Sequence, residues 1–412
     1  MSHHSAPVNR KLLTPGVYVL LVFMGTAFLI ALYRFIFGLK AVTNLDDQYP
    51  WGIWIAIDVG TGVALAAGGF TTAALAHIFH RHHYEPIVRP ALLTAMLGYT
   101  FVALGLMVDL GRYYNIWHPI LPTMWQGNSV LFEVGMCVMA YLTVLYSEFI
   151  PIICERFIGR VRLPGVLAGL NHLVDSLLRF LNRFLSRIMS LLIIAGVVLS
   201  CMHQSSLGAL MLIAPYKMHP LWYTPILPLL FLLSAFAVGY PMVVFESVIA
   251  SWAFKRKPEM HILTPLSRLM IIPLGIYFLA KFIDVLVRDV YGHLMTPSWT
   301  SFLFILEVGA GVLLPLVLLL SEKVRRSAGW LLATATLIVL GVALNRINVF
   351  LVAYRPPYAE TTYFPSISEI LVTVGLICTL VFVYRVAVTI LPVLPSDESG
   401  SPTEKDKLAV GR

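Results

Sequence analysis

Ionisable residues interrupt the apolar stretches of this 412-residue chain at positions that suit proton or electron chemistry. Asp109 and Arg112 end one apolar stretch, and Glu133 lies inside the next. A charged group near the middle of a bilayer costs about 2.5–3.5 kcal/mol, so such groups persist mainly where they pair, line a wet cavity or take part in chemistry. We therefore take the stretch from Asp109 to Glu133 as the first candidate for a functional site.

A second polar run lies deep inside a later apolar stretch. Four consecutive polar residues, His203, Gln204, Ser205 and Ser206, follow Met202. A helix that faces lipid on all sides does not carry such a run, because lipid offers no hydrogen-bond partners. We expect His203 and Gln204 to face the protein interior.

The elements that hold these residues are membrane-spanning helices. Hydrophobic residues make up 58% of the chain and charged residues 12%, with a mean hydropathy of +0.83. These values indicate a polytopic membrane protein. A run of about 20 apolar residues crosses the hydrocarbon core. Ten such runs are present: 17–37, 52–79, 90–112, 128–150, 187–213, 225–253, 268–290, 299–320, 329–352 and 368–392.

The distribution of basic residues predicts the orientation. Of the 29 Lys and Arg residues, 20 lie in the two tails and the even-numbered connections. By the positive-inside rule both termini are then cytoplasmic, and we expect the chain in the cell inner membrane. The net charge of +8 thus reflects topology, so nucleic acid is not expected as a partner. The first run lacks a small-residue cleavage site and carries Arg34, which favours a retained helix over a signal peptide.

This topology places most ionisable residues on one side of the bilayer. The outer half holds most of them: Asp58, Asp109, Arg112, Glu133, His203, Gln204, Lys281, Asp284 and Arg346. Glu148, Glu246 and His77 lie toward the cytoplasm, and the helix that ends at Asp109 passes through Tyr99. The pattern predicts a polar pocket near the outer face with a sparse trail of ionisable groups leading inward.

A short repeat suggests the arrangement of the helices. Asp109 and Glu133 are followed in the second half by Asp284 and Glu307 at nearly the same spacing, and each Glu begins a Glu-Val-Gly string. We predict an all-α integral membrane fold in which helices two to five and six to nine form two pseudo-repeated four-helix bundles, flanked by helices one and ten.

The remaining segments divide the chain as follows. Residues 1–16 form a cytoplasmic tail, residues 17–392 the ten-helix membrane domain, and residues 393–412 a disordered cytoplasmic tail. Apolar residues recur every three to four positions over about 166–187, which indicates an amphipathic helix on the cytoplasmic interface.

Three kinds of chemistry suit a polar pocket inside a membrane. Haem b needs axial histidines paired across helices, yet of 12 histidines only His203 lies well inside a span. The four cysteines are scattered and the histidines at 80–83 lie in an exposed loop, so we expect no iron–sulfur cluster and no metal site. A transporter could use buried acids. A quinone site needs hydrogen-bond donors, a proton-passing group and an apolar slot for the tail, and His203, Gln204, Asp109 and Arg112 supply the first two. We take these four residues and Asp58 as candidates for quinone binding. The candidates for proton transfer are Glu133, Glu246, Tyr99 and Glu148.

Structural alternatives exist for each candidate. Asp109 and Arg112, three residues apart, could form a simple ion pair. Glu133 and Asp58 could be protonated and bonded to neighbouring backbone, and His203 could be a satisfied core residue. For Lys281, Asp284 and Arg346 in the second bundle we favour a structural charge network.

Five strings carry a resemblance to a known family: Pro50-Trp-Gly-Ile-Trp-Ile-Ala-Ile-Asp58, Asp109-Leu-Gly-Arg112-Tyr, Asn128-Ser-Val-Leu-Phe-Glu133, Met202-His-Gln-Ser-Ser-Leu-Gly208 and His219-Pro-Leu-Trp222. In these strings the chain resembles the NrfD/polysulfide-reductase family of quinone-interacting membrane subunits. The likeness extends over nearly all ten helices. Within the family it resembles most the membrane subunit of periplasmic nickel–iron hydrogenases and the related subunit of the dissimilatory sulfite-reduction complex.

The resemblance implies a function for the pocket. Family members bind menaquinone or ubiquinone near the periplasmic face, carry no haem and dock a ferredoxin-like iron–sulfur subunit, here beside a catalytic subunit such as a nickel–iron hydrogenase. By position, the quinone site would include Asp109, Arg112 and His203, with Glu133 and Glu246 for proton transfer. The chain would not be catalytic by itself. Alternatives are quinol oxidation in a sulfur-metabolism complex, ion or proton translocation, and a passive anchor.

Overall fold

The computed structural model describes residues 5–395, apart from the side chain of Val166. Within that range the chain is helical, and ten helices are long and apolar enough to cross a membrane. They are α1 (Pro15–Phe37), α2 (Trp54–Ile78), α3 (His82–Asp109), α4 (Val130–Phe157), α5 (Leu167–Ile213), α6 (Leu227–Ala253), α7 (Met260–Val287), α8 (Trp299–Leu320), α9 (Ala328–Val352) and α10 (Ile367–Ile390). The predicted all-α fold with ten spans is confirmed.

Serine residues cap the N-terminal ends of several of these helices. Ser129 and Ser298 precede α4 and α8, and each side chain accepts a hydrogen bond from the backbone N–H three residues later. Ser366 and Glu369 form a reciprocal capping box at the start of α10. Such caps satisfy backbone donors that the first helical turn leaves without partners.

The predicted amphipathic segment is continuous with the fifth span. Residues Asn171–Leu210 form one uninterrupted α-helix, preceded by a 3₁₀ turn over Gly165–Leu170. Leu173, Leu177 and Phe180 are exposed on its first half. This apolar stripe suits a lipid surface, and the interfacial location stays a prediction.

The described parts of the two predicted tails contact the ends of the membrane domain. The N–H groups of Ala6 and Val8 donate to Leu394 O and Val388 O, each at 3.0 Å, and Val393 is wholly buried. The domain boundaries at 16 and 393 stay a prediction. Residues 1–4 and 396–412 of the predicted tails lie outside the described residues.

The helices pack in two neighbouring groups and a peripheral pair. Helices α2 to α5 contact one another, α6 to α9 contact one another, and α1 packs along α10. The two groups meet where α2 crosses α6, and a Cβ atom added to Gly239 would lie 2.6 Å from Thr71 Oγ1. This grouping matches the two predicted bundles, and their origin as a repeat stays a prediction.

Helices α8 and α9 make the closest backbone approach within the second group. A Cβ atom on Gly311 would lie 2.5 Å from the Cα of Gly341. The partner atom belongs to the backbone, so no side-chain rotation relieves the clash. The crossing requires glycine on both helices.

We predict that Gly341→Val destabilises the folded protein by about 1–3 kcal/mol, the range for overpacking a close-packed contact. Gly275→Val on α7 is the matched control, because nothing lies within 4 Å of a Cβ atom at Gly275. Thermal unfolding of both variants in detergent checks this. Equal stability of the two variants would show that the crossing is not tight.

The connection between α5 and α6 is hydrogen-bonded to the backbone just after the end of α9. His219 N–H donates to Ala353 O at 2.8 Å, and His219 Nδ1 accepts from Leu221 N–H at 3.2 Å. The second bond requires Nδ1 without a proton. Burial, the neighbouring His293 and Arg355 together lower the pKa of His219 below its usual 6.5.

The lowered pKa predicts a pH effect on stability. The folded state binds fewer protons at His219 than the unfolded state, so its stabilisation is complete above pH 6.5 and is lost as the pH falls through the folded pKa. We expect the unfolding temperature to fall between pH 7.5 and 5.5, and to fall less in His219→Gln. The control is His118→Gln on another outer loop. A slope unchanged by His219→Gln would contradict the assignment.

Candidate functional site

An acidic cluster lies where the C-terminal ends of α1 and α3 meet the N-terminal ends of α2 and α10, at the ends predicted to face outward. Asp109 is the last residue of the α3 helix, and its Oδ1 atom is buried without a hydrogen-bond partner. Arg34 of α1 lies beside it with 1% of its surface exposed, and donates to Val108 O at 2.6 Å and also to Leu110 O. A cation at this position satisfies carbonyls that the helix end leaves free.

Arg112 does not take this position. It lies beyond the end of α3 with an exposed side chain, and within residues 5–395 no ion pair joins it to Asp109. The structure thus gives no support to a simple Asp109–Arg112 pair. Sequence reasoning noted Arg34 only as a retained charge within a span, although an Arg inside an apolar helix is itself a signal for a buried partner.

Asp58 and Glu369 complete the acidic cluster. Asp58 lies in a π-helical segment of α2, Trp54–Thr61, and its Oδ2 accepts from Thr373 Oγ1 at 2.8 Å. Glu369 is wholly buried and accepts from the N–H groups of Asn44 and Ser366 and from the hydroxyl of Tyr363 at 2.5 Å. Burial and Glu369 raise the pKa of Tyr363.

Glu369 was missed by sequence reasoning. The string Ser366-Ile-Ser-Glu369 is a readable capping-box signal. It predicts the start of a helix and gives no indication that the carboxylate also holds a loop from the other end of the chain.

A second polar cluster lies deeper, between α3, α4 and α5. His203 is wholly buried, and its Nδ1 lies 3.1 Å from the hydroxyl of Tyr99. The rings of Tyr99 and Tyr141 meet edge to face at 4.6 Å. The Gln204 amide nitrogen donates to Val63 O on α2 at 2.8 Å. Four helices of the first group therefore meet in this cluster.

Several polar atoms of this cluster have no partner. His203 Nε2, Gln204 Oε1, Tyr141 OH and Ser200 Oγ are buried without a hydrogen bond within the described part of the chain. A buried polar atom left without a partner costs about 1–3 kcal/mol, so such atoms in a native structure call for a ligand, a water or a functional reason.

The predicted pocket is therefore divided into two layers. Asp109 and Tyr99 are ten residues apart on α3, which separates them by about 15 Å along the helix axis. The Gln204 contact with Val63 places the deeper layer about 7 Å inward of Asp58. One quinone ring cannot contact Asp109 and His203 together, because its two oxygens lie much closer than that.

Glu133 occupies the periphery of the deeper layer. Its side chain is exposed, and its Oε1 accepts a 2.5 Å hydrogen bond from Ser206 Oγ, one turn along α5 from His203. Met202 beside it is also exposed. The space between α4 and α5 therefore opens sideways next to His203.

The two inward acids lie in different places. Glu148 on α4 lines a cavity of about 10 Å³ together with Tyr141, so a water-sized space separates the deeper layer from this carboxyl. Glu246 on α6 borders a larger groove against α10. The structure does not bring Glu246 into the Tyr99–Tyr141–Glu148 line.

The second group holds a paired charge network. Lys281 and Glu307 form a buried ion pair, and Glu307 also accepts from Asn345 at 2.8 Å and Asn348 at 2.7 Å. The Arg346 guanidinium lies 3.6 Å from the Phe231 ring centroid. Asp284 pairs with Arg288 at 2.6 Å. These contacts fit the structural role favoured from sequence.

Within the described residues, no group of three or more His, Cys, Asp or Glu side chains is arranged to hold a metal ion. Cys137, Cys154, Cys201 and Cys378 are all free.

Comparisons with known proteins agree with this arrangement. The chain is 37% identical to a protein of Nitratidesulfovibrio vulgaris over 94% of this chain and 97% of that one. It is 33% identical to the "Probable Ni/Fe-hydrogenase 2 b-type cytochrome subunit" of Escherichia coli, over 96% of each chain. It is 25% identical to the menaquinone reductase integral membrane subunit of N. vulgaris, over 91% of this chain and 90% of that one.

The family model "Polysulphide reductase, NrfD" matches residues 41–356, a range that includes the deeper layer, Asp58 and Asp109 of the outer layer, and the second-group network. The resemblance read from the sequence strings is confirmed. The chain belongs to the NrfD polysulphide-reductase family of membrane proteins.

Proposed function

We propose that this chain is the quinone-interacting membrane subunit of an oxidoreductase complex, and that the quinone head binds in the outer half of the first group. The observation that carries the proposal is His203 Nε2, a buried nitrogen without a partner on a ring whose other nitrogen is bonded to Tyr99. Family membership supports the quinone as the ligand, since one relative is named a menaquinone reductase subunit.

The contact with Tyr99 leaves two neutral tautomers open to His203. When the Tyr99 hydroxyl donates to Nδ1, the neutral imidazole carries its proton on Nε2 and can donate it to a carbonyl oxygen. When Nε2 carries no proton and accepts a hydrogen bond instead, Nδ1–H donates to the Tyr99 oxygen. Either way the pair can hold or pass one proton at this depth. A bound quinone would supply two-electron, two-proton redox chemistry there.

Two proton routes leave the deeper layer. One runs inward through Tyr99, Tyr141 and the water-sized cavity to Glu148. The other runs sideways through Ser206 to Glu133, which is exposed. We propose that Glu133 serves the quinone directly and that Glu148 begins the inward trail.

The outer layer forms the other wall of the site. Asp58 and Asp109 lie above the His203 layer, and Asp109 Oδ1 is free to accept a proton or a hydrogen bond. Arg112 stands at the exposed rim. We propose that these groups shape the entrance and exchange protons with the outer face, with both termini in the cytoplasm.

The outer loop between α3 and α4 is the proposed docking surface for the electron-transferring partner. It exposes Tyr114, Trp117, Ile120 and Trp125, and exposed apolar patches of this kind mark interaction sites. An iron–sulfur subunit bound here, beside a catalytic subunit of the hydrogenase or reductase type, would bring electrons closest to the outer layer.

We predict that His203→Leu lowers quinone-coupled turnover of the assembled complex by about 100-fold, within the range for loss of a general acid–base group. Asp109→Asn and Glu133→Gln are expected to lower it less, because each retains a hydrogen-bonding group. His261→Gln, on the first turn of α7, is the matched control. The measurement is donor-to-quinone electron transfer at equal complex concentration.

The result separates the candidate functions. Full turnover in His203→Leu, Asp109→Asn and Glu133→Gln would show that the site proposal is wrong and would fit a passive anchor. Ion flux that persists without quinone, and that Lys281→Met abolishes, would favour a transporter.

We also predict that the purified chain carries no haem, although one relative is named a b-type cytochrome subunit. A cytochrome-type haem b held by two histidines needs both of them as axial ligands on one iron. His203 lies level with Val63, whereas His77 lies about 20 Å further along α2, so these two cannot share an iron. A haemochrome spectrum of the isolated subunit tests this, and a stoichiometric haem signal would refute it.

A further inference from the structure

An apolar groove lies between α1, α6 and α10, away from both polar layers. Its volume is about 370 Å³, within the range of about 300–1,000 Å³ that ligand pockets occupy. It lies at the start of α1 and the ends of α6 and α10, which share one membrane face. Its walls are mostly aliphatic and aromatic: Val17, Leu20, Met242, Phe245, Leu380 and Val381.

The groove ends on three polar side chains from three helices. Thr94 of α3 and Tyr384 of α10 face the carboxyl of Glu246 on α6. Both hydroxyls interact with this carboxyl, yet Thr94 Oγ1, Glu246 Oε1 and Tyr384 OH are buried and make no hydrogen bond of good geometry within the described residues. Three buried oxygens with poor mutual geometry, beside an apolar groove, form a site for a hydrogen-bonding head.

The charges around the groove favour a neutral head over a phosphate-bearing one. Arg385, which lines the groove, donates to Leu12 O at 3.0 Å and to Lys11 O at 2.8 Å, and lies over the Phe254 ring. Arg256, whose charge acts on Tyr384, donates to Pro395 O. A phosphate at the floor would instead meet the Glu246 carboxyl. A neutral head with two oxygens fits better, because hydroxyl donors and a carboxyl can bond it without uncompensated charge.

The groove also opens to lipid. Ile249 and Val381, at its edge, are 41% and 46% exposed. An apolar tail can therefore leave the groove sideways into the bilayer.

We propose that this groove binds a second isoprenoid quinone or quinol, with its head at Thr94, Glu246 and Tyr384 and its tail along α1 and α10. The existence of a site for a neutral amphiphile rests on the groove alone. The choice of a quinone rests on the proposed function. The proposal concerns binding only, and it assigns Glu246 to a ligand rather than to the inward proton trail.

Photolabelling of the purified complex in phosphatidylcholine nanodiscs tests the proposal, with a short-tailed azidoquinone as probe and unlabelled quinone as competitor. We expect competable labelling of α6 and α10 peptides. The double variant Thr94→Val/Tyr384→Phe should reduce it, by about two- to tenfold for each lost hydroxyl. Thr26→Val/Tyr18→Phe, which makes the same changes on α1 outside the groove, should leave it unchanged.

A second variant keeps the test independent of the polar groups. Ala250→Phe fills the groove and should abolish the same labelling while all three oxygens remain. Unfolding temperatures of all variants show whether each has folded. His203→Leu should leave groove labelling intact and reduce labelling of α3 and α5 peptides, so failure of the outer site and failure of the groove are distinguishable.

Three outcomes would overturn the proposal. One is labelling that competitor or the double variant does not reduce. Another is preferential labelling of the groove by a photoreactive phospholipid, which would make it a lipid site. The third is labelling of the isolated subunit but not of the complex, which would mean that a helix of a partner subunit covers the groove.

Discussion

A polar group buried in hydrocarbon must find its partner inside the protein, because the bilayer core holds no water to bond it. This constraint organises the whole chain. Arg34 crosses from the peripheral helix α1 to the free carbonyls at the end of α3. Glu369 caps the start of α10, and its carboxylate also accepts a hydrogen bond from the Asn44 N–H in the loop after α1. Each pairing fixes one helix against another.

The two helix groups meet this constraint differently. In the second group, Glu307 accepts from Lys281, Asn345, Asn348 and Trp222, so a single carboxylate joins three helices and the outer loop before α6. Removing one partner of such a network would leave an uncompensated charge. In the first group, His203, Gln204, Tyr141 and Ser200 each leave one polar atom without a partner within the described residues. The second-group network leaves Arg346 Nε and Asn348 Oδ1 in the same state, but both side chains are held by other hydrogen bonds around the Lys281–Glu307 ion pair. The two groups therefore differ chiefly in that an ion pair fixes the second network.

Sequence predicted the elements better than their contacts. Ten apolar runs gave ten helices, since length and hydropathy are local properties. Asp109 lies at the C-terminal end of α3 and Glu133 in the first turn of α4, as the apolar runs indicated, and the side of the membrane that these ends face stays a prediction. Their partners could not be predicted, because Arg34 lies 75 residues from Asp109 and the contact depends on how α1 packs. The predicted single pocket became two layers for the same reason: periodicity gives the depth of a side chain but not the direction it faces.

The pairs Asp109–Glu133 and Asp284–Glu307 have nearly the same spacing in the sequence, but the structure gives their side chains different partners and different exposure. Asp284 pairs with Arg288, four residues later, and both side chains make further hydrogen bonds, to Thr224 and Pro220 respectively. Asp109 has its cation on α1, and that cation is bonded to helix-end carbonyls, so one oxygen of Asp109 stays free. Likewise Glu307 is wholly buried while Glu133 is exposed. Neighbouring helices therefore supply partners to both acids of the second group, whereas in the first group they leave Asp109 Oδ1 free and Glu133 exposed, where we propose that the acids exchange protons with a ligand.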